Sequence, residues 1–594
     1  MGPCTACGWP FAASGAAIPG AQVATIRFPK KPRRPQNSPS KNTPQRKPMD
    51  TQRLILFIVF SFSILLLWEA WQKDTAPATS PTAVATAPAT GTVPVPTQEL
   101  AKAPGAAAIT TAGANLPKGE RIVVKTDLIE AEIDTNGGDL RRFTLLKQGS
   151  AEDKSKPLTL LADEAPHYYV AQSGLIGPGL PTHKETFHAD ATSYSLAPDA
   201  KDLQVRLTWA GANGVQVAKI YTFHRASYLV DIAYEVTNSS AEPLQPSAYF
   251  QLLRDDTAPA GESKMMSTYT GPAVYTEATK YEKIAFADIA KGKAPPGITA
   301  KDGWIAMLQH YFLSAYLPPA GAEREFYTKK LSDQLFTAGV ILPMGAIAPG
   351  ATGTVKTPLY IGPLEHATLK NLAPGLDLSV DYGWLTVIAT PLFWLLSTLH
   401  KLLGNWGWSV IVLTVLIKLA FYPLSAASYR SMAKMKAVAP RLQKMKETYG
   451  DDRQKLHQAM MELYKTEKIN PMGGCLPVVV QIPVFIALYW VFLYSVEMRH
   501  APFALWIQDL TAPDPYYVLP VIMGISMLVQ TKLNPTPPDP IQAKVMMIMP
   551  IAFSAMFFFF PSGLVLYWVV NNLLSIAQQW RINTVLGKAK HGKA

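Results

Sequence analysis

The sequence predicts a multi-domain membrane protein: an N-terminal transmembrane anchor, a soluble antiparallel β-sandwich, and a C-terminal core of five transmembrane helices with a cytoplasmic helical hairpin. Three observations lead there. Only 16% of the 594 residues are charged and 48% are hydrophobic, whereas an ordinary soluble chain carries about 25% charge. A mean hydropathy of +0.08 is nevertheless too polar for a chain that is membrane throughout, so apolar and polar stretches must be segregated. The net charge of +12 is concentrated in the N-terminal extension and in particular loops. Three cysteines in all exclude a disulfide scaffold, since Cys4 and Cys7 form a single C-x-x-C without a second pair and Cys475 stands alone.

Residues 1–48 are polar, Pro-rich and basic and read as a disordered extension. Segment 49–72 contains an apolar run, 54–68, long enough for a short span; Met49 is an alternative start. Trp68-Glu69-Ala70-Trp71 puts bulky residues where signal cleavage needs small ones, so the run reads as a retained anchor. The stretch 73–119, nearly all Ala, Pro, Thr, Gly and Val, is a semi-extended linker.

Residues 120–365 are built of short segments rich in β-branched and aromatic residues, among them 121–125, 203–209, 215–223, 228–237, 335–342 and 354–361. Asn136-Gly137 suits a type I′ hairpin between 130–133 and 140–145. This composition argues for one large antiparallel β-sandwich.

Beyond Gly362 the apolar content climbs, with candidate spans at 406–423, 475–496, 516–531, 545–560 and 563–578 in the core 404–581. A further amphipathic segment within 378–403 is either a span or an interfacial helix. Charge placement decides. If the anchor leaves the cytoplasm and 378–403 does not cross, the hairpin 424–474, with ten basic residues, lies inside, and loop 497–515, with Arg499 alone, lies outside. The loop carrying Lys532 and Lys544 and the basic tail 582–594 then fall inside as well, so every loop obeys the positive-inside rule. The reading is six spans, both termini cytoplasmic, and an interfacial helix at 378–403.

Several long motifs stand in order along the chain: Gly303-Trp304-Ile305-Ala306-Met307-Leu308-Gln309-His310-Tyr311-Phe312, Tyr422-Pro423-Leu424, Ser431-Met432-Ala433-Lys434-Met435, Asn470-Pro471-Met472-Gly473-Gly474-Cys475, Ala501-Pro502-Phe503-Ala504-Leu505-Trp506 and Phe560-Pro561-Ser562-Gly563-Leu564. From about Met49 to Arg581 the chain resembles the Gram-negative YidC membrane protein insertases of the YidC/Oxa/Alb family. The resemblance implies a periplasmic β-supersandwich and a five-helix inner-membrane core. That core would hold a hydrophilic groove, open to cytoplasm and lipid, which receives polar parts of nascent membrane proteins, alone or beside the Sec translocon.

Lys418 lies within a candidate span, where a centrally placed lysine costs about 2.5–3.5 kcal/mol to insert. Its residues alone leave two readings open: a snorkelling side chain near a span end, or a charge turned inward. The resemblance favours the second, because the matching position is a positively charged groove residue, usually Arg, with Thr414 one turn earlier on the same face. Lysine keeps the charge and loses the bidentate fork. Tyr567, Asn571, Ser575 and Gln578 follow at spacings of 4, 4 and 3 on one face of the last span, to be read as groove wall or as helix–helix glue. Gln481 and Gln530 are further wall candidates.

In the hairpin, Tyr449-Gly450-Asp451-Asp452 supplies a Gly stop and an Asp cap between two amphipathic helices. Met432 and Met435 read either as a soft substrate surface or as glue between the helices. Lys434, Lys436 and Arg441 belong to a basic surplus that suits lipid headgroups, ribosomal RNA or topology alone. No Walker A, G-x-S-x-G, H-E-x-x-H or paired-Cys metal motif occurs, so neither an enzyme activity nor a nucleotide, cofactor or metal is expected. Two rival classes carry less: a channel or transporter, for which the core lacks an internal repeat, and a carbohydrate-active protein, for which no carboxylate or His constellation is present.

Overall fold

The computed structural model describes residues 116–591 apart from 152, 165–166, 260–267, 333, 451, 470–475 and 535–539. The extension 1–48, the anchor 49–72, the linker up to 115 and the motif at 470–475, with all three cysteines, lie outside the described residues.

Period-2 alternation builds the β-domain. In Asp202–Ala210, Val205 and Leu207 are buried between exposed Gln204, Arg206 and Thr208, so the strand offers one face to a partner sheet. The first sheet has ten strands, in spatial order Ile298–Ala300, Arg324–Lys330, Leu335–Pro343, Ser247–Asp255, His167–Ile176, Pro157–Glu164, Asp139–Gly149, Ile129–Asp134, Arg121–Lys125 and Ser193–Ser195. The second has nine: Lys280–Lys283, Gly271–Thr276, Trp304–Gln309, Phe312–Tyr316, Thr352–Pro363, Leu229–Asn238, Val215–His224, Asp202–Ala210 and His188–Ala189. Pairing is antiparallel except between Arg121–Lys125 and Ser193–Ser195, which run parallel. The hairpin at Asn136-Gly137 differs from the expected two-residue turn. Asp134 pairs with Asp139, so four residues connect the strands; the positive φ angles fall on Gly137 (78°) and Gly138 (59°), while Asn136 bridges to Thr186.

Between the sheets, an apolar core encloses a charged cluster. Asp139 and Lys219 are fully buried and Arg141 is 1% exposed. Arg141 Nη2 lies 3.3 Å and Lys219 Nζ 4.0 Å from the Asp139 carboxylate, which also accepts from Gln172 Nε2 at 2.9 Å. Lys219 donates to the carbonyls of Gly137 (3.0 Å) and Ser173 (3.4 Å). Burial pulls the Lys219 ammonium down to about 8 against the opposing pull of Asp139.

The helices follow the β-domain, after a single-turn helix α1 (Phe286–Ala290) within it: α2 (His366–Leu372), α3 (Thr386–Leu403), α4 (Trp406–Ala420), α5 (Tyr422–Tyr449), α6 (Arg453–Thr466), α7 (Leu476–Tyr494), α8 (Val518–Leu533), α9 (Pro540–Met556) and α10 (Ser562–His591). Where one helix was expected across 378–403, short 3-10 turns at Leu376–Ser379 and Gly383–Leu385 precede α3. By length and composition, Gly383–Leu403 is the one helix among the described residues able to cross a membrane unaided, and α4 with α5 passes only as a pair bent by 67°. Charge placement and helix length therefore select different segments. The exposed Val387, Trp394 and Leu402 on α3, with Trp384 in the turn before it, stand opposite a buried face of Ala389, Phe393 and Leu396, so half of the helix packs on protein and half is left for an apolar surrounding.

The two parts are welded by one hairpin. In Trp304–Gln309 and Phe312–Tyr316, every residue except Gln309 is buried. Ile305 and Met307 face the sandwich core. Trp304, Ala306 and Leu308 join a second cluster with Leu376, Tyr382, Phe393 and Val410. Trp304 Nε1 also donates to the Pro374 carbonyl at 3.1 Å. Gly375 lies at φ 72°, and a Cβ there would sit 2.5 Å from the Tyr275 ring.

Removing Asp139 leaves two buried cations without a counter-charge, and breaking a buried pair costs about 3–5 kcal/mol. Asp139→Asn is expected to lower the thermal midpoint of the β-sheet circular dichroism signal in the full chain; an unchanged midpoint would show that the Asp139 charge does not stabilise the sandwich.

Candidate functional site

Three helices converge on a polar network inside the apolar bundle. Lys418 lies in the last turn of α4, half-buried, and its ammonium donates to Ser575 Oγ of α10 at 2.7 Å. The side chain thus turns inward toward α10. Ser575 in turn donates its own hydroxyl to the Asn571 backbone carbonyl at 2.7 Å. Gln481 of α7 donates to Asn571 Oδ1 at 2.5 Å and to Tyr567 Oη at 3.3 Å. Lys418, Gln481, Tyr567, Asn571 and Ser575 therefore form one site, because a period of 3.6 places 567, 571 and 575 on one stripe of α10.

Thr414 and Gln530 stand apart. Thr414 is buried, and its hydroxyl is spent on the Val410 carbonyl of its own helix at 2.7 Å, the usual back-bond of a threonine inside a helix. Gln530 is half-buried on α8, which meets α10 through other groups: Asn572 Nδ2 donates to Ser526 Oγ at 3.2 Å and Gln579 Nε2 to Asn534 Oδ1 at 3.1 Å. Asn572 and Gln579, seven residues apart, are a second polar stripe on α10. The spacing that exposed the first stripe would have found them.

The hairpin is held by Gly450 in the turn, with Asp452 accepting from Lys455 N at 3.2 Å to cap α6. Met435 packs among Val438, Leu442, Met460 and Ile469 inside the hairpin, and Met432 lies against Ala426, Tyr429 and Ile582. Lys434 and Lys436 are exposed, and Arg441 pairs with Glu467 at 2.7 Å.

At the opposite end of the bundle, the loop after α7 organises itself around Asp509, a residue sequence reasoning missed. Asp509 accepts from His500 Nδ1 (2.9 Å), Thr511 N (2.9 Å) and Thr511 Oγ1 (2.7 Å), with Lys154 of the β-domain 3.4 Å away. The loop also holds the start of α10: Ser562 Oγ donates to Asp509 O at 2.8 Å and Gly563 N to Leu510 O at 2.9 Å. Phe503 packs on Gly407 of α4, where a Cβ would lie 2.0 Å from its ring. Burial works to raise the Asp509 carboxyl, but the hydrogen bonds from His500 and Thr511, with Lys154 nearby, outweigh it and hold it well below the usual carboxylate range.

A β-sandwich welded to an apolar helical bundle with an inward-turned lysine defines the class, an integral membrane protein with a large extramembrane domain. Residues 121–395 match the family described as YidC periplasmic domain, and residues 398–589 match the 60Kd inner membrane protein family. The chain is 60% identical to the membrane protein insertase YidC of Methylobacillus flagellatus, covering 90% of this chain and 97% of the relative. It is 57% identical to that of Nitrosospira multiformis, over 91% of this chain and 98% of the relative. A crystal structure of an active YidC insertase with its first transmembrane domain resolved matches 78% of this chain and 92% of its own, at 20% identity and a TM-score of 0.36. The chain belongs to the YidC family.

Because the folded Asp509 pKa lies below its unfolded value of about 3.9, its contribution to stability is fully present above about pH 4 and is lost as pH falls through the folded pKa. Asp509→Asn is expected to flatten the fall in thermal midpoint between about pH 5 and pH 2; an unaltered acid slope would mean that other carboxylates set it.

Proposed function

We propose that this chain inserts nascent membrane proteins into the inner membrane and assists their folding, with the Lys418–Ser575 and Gln481–Asn571 network forming the wall of a hydrophilic groove. The observation that carries the reading is the convergence of α4, α7 and α10 on a cation whose hydrogen bond runs to a neutral hydroxyl. A lysine held this way, with no ion pair to it among the described residues, offers its positive charge to an incoming segment. Paired polar side chains also lower the cost of bringing backbone and polar residues of a substrate partway across hydrocarbon.

Nothing is broken or formed covalently in such a step. The driving force is partitioning of the substrate's apolar segments into lipid, together with the membrane potential, worth about 2.3 kcal/mol per charge per 100 mV. A nascent helix leaves sideways, so no pore is needed.

The topology that fits this role has six spans, counting the anchor, with α4, α7, α8, α9 and α10 crossing and α3 at the interface. The short apolar helices suit a locally thinned bilayer. The β-domain is then periplasmic, and the exposed Lys434 and Lys436 face the cytoplasm, where the hairpin meets headgroups or the ribosome. Met435 serves the hairpin's own packing and Met432 packs against Ala426, Tyr429 and Ile582, which leaves the basic surface for contact with a substrate. Partnership with the Sec translocon completes the reading for larger substrates.

Purified chain in liposomes is expected to insert a one- or two-span substrate without a nucleotide. Ion conduction or solute accumulation in place of insertion would overturn the proposal. Lys418→Ala should slow substrates with acidic translocated tails by about tenfold, the effect of roughly 1.4 kcal/mol, and neutral ones far less. Equal losses for both would reduce Lys418 to a packing element.

A further inference from the structure

The turn between Trp304–Gln309 and Phe312–Tyr316 is driven into the far end of the helical bundle. His310 Nε2 donates to the Leu493 carbonyl at 2.8 Å, one residue from the end of α7. Its ring stacks on Tyr311 with centroids 3.8 Å apart and meets Tyr494 edge-on at 6.1 Å. The Arg499 guanidinium lies 5.4 Å from the Phe312 ring centre, and the Tyr311 hydroxyl meets the Thr511 side chain. A second contact is made by Lys154, 3.4 Å from both the Asp509 carboxylate and the Gln508 carbonyl.

These contacts reach the ends of two particular helices. Leu493 lies in the last turn of α7, which carries Gln481, and the Asp509 loop holds Ser562 and Gly563 at the start of α10, which carries Asn571. At a rise of about 1.5 Å per residue, the Gln481–Asn571 hydrogen bond lies roughly 18 Å along α7 from His310's contact and roughly 14 Å along α10 from Ser562. Ser562–Asn571 of α10 contains no proline and transmits a tilt over such a distance as a rigid rod, whereas in α7 the displacement must pass the turn that holds Pro483, two residues beyond Gln481. The turn is also conditionally stable: Tyr311 is a non-glycine residue at φ 68°, a conformation L-residues keep only where packing enforces it. Its surroundings, half sandwich and half core, supply that enforcement, so separating the two relaxes the turn.

We propose that the β-domain is coupled to the groove through this dock: a substrate segment that parts α7 from α10 displaces their far ends and loosens the His310–Phe312 turn and the Lys154 contact. The proposal rests on the groove reading above. Coupling between binding events is reciprocal, so loosening the dock must favour occupancy of the groove by the same factor. The β-domain then reports on the periplasmic side that the groove is filled, a role separable from insertion itself.

The test uses the full chain in lipid nanodiscs and a one-span substrate with a photoreactive residue in its apolar segment. Backbone hydrogen exchange of peptides covering 305–313 and 494–511 is measured before and after attachment. Attachment to α4, α7 or α10 should speed exchange in both peptides on the order of tenfold, within the usual range of coupling between sites. In the same assay, His310→Ala should raise the yield of attached substrate by a similar factor, and His310→Gln, which keeps a donor for the Leu493 carbonyl, should return it toward the parent value. Attachment without change in exchange overturns the coupling and leaves the groove standing. A His310→Ala chain with intact β-sheet circular dichroism and an unchanged or lowered yield overturns it as well. Failure of the parent chain to attach substrate at these helices overturns the groove reading and the coupling with it.

Discussion

A polar group taken out of water must find a partner, and in this protein that requirement bears most heavily on α10. Unpaired, each such group costs several kcal/mol in hydrocarbon. Ser575 and Asn571 answer to Lys418 and Gln481 on one side. On the other, Asn572 and Gln579 answer to Ser526 and Asn534. At the helix start, where the first N–H groups have no partner within the helix, the Ala512 and Leu510 carbonyls accept from Ser562 and Gly563. The helix is therefore located by hydrogen bonds along its length and on two faces, and the neighbouring helices take their places around it.

The same requirement separates the two stripes by what they can do. Asn572 and Gln579 bond only to neutral partners, the buried Ser526 and the half-buried Asn534, so that stripe is glue. The other stripe includes a charge and the half-buried Lys418 and Gln481. On the proposed groove reading, bonds of this second kind would be exchanged for bonds to a visiting chain at small net cost, because a hydrogen bond replaced by another of the same kind changes the free energy little.

Much of the β-domain was legible because its strands alternate. Segments such as 203–209 and 215–223 announce one buried face, and the structure extends them only by a residue or so, to Asp202–Ala210 and Val215–His224. The hairpin 304–316 was not legible in that way. Buried on both faces, it reads as a continuous apolar run, which carries no period and no hint of which side meets the helices. The Asn136-Gly137 turn failed for a related reason: two adjacent glycines follow Asn136 and its bridge to Thr186 is distant in sequence, so local turn chemistry was overruled by a long-range pairing. In the core, spacing exposed Tyr567, Asn571 and Ser575, whereas Thr414 lay on the expected face but bonded to its own helix. Asp509 carried a local sign in Thr511, two residues on, which supplies two of its hydrogen bonds as an Asx-turn, but its ties to His500 and Lys154 were not legible.

Lys418 and the buried cluster at Asp139 show how one chain treats charge in two opposite ways. In the β-domain, Asp139 stands against Arg141 and Lys219, with Gln172 as a further donor to the carboxylate and the Gly137 carbonyl accepting from Lys219; such a cluster is expensive to assemble and of little use to a ligand, since it is fully enclosed. In the core, the lysine is given a hydroxyl, which satisfies its geometry without cancelling its field. Only the second arrangement leaves attraction to spare. If Lys418 draws in substrates as proposed, an electrostatic pull that acts on changing substrates and then lets them go is better served by a half-buried cation bonded to a hydroxyl than by a buried ion pair, because the pair would have to be broken before it could attract anything.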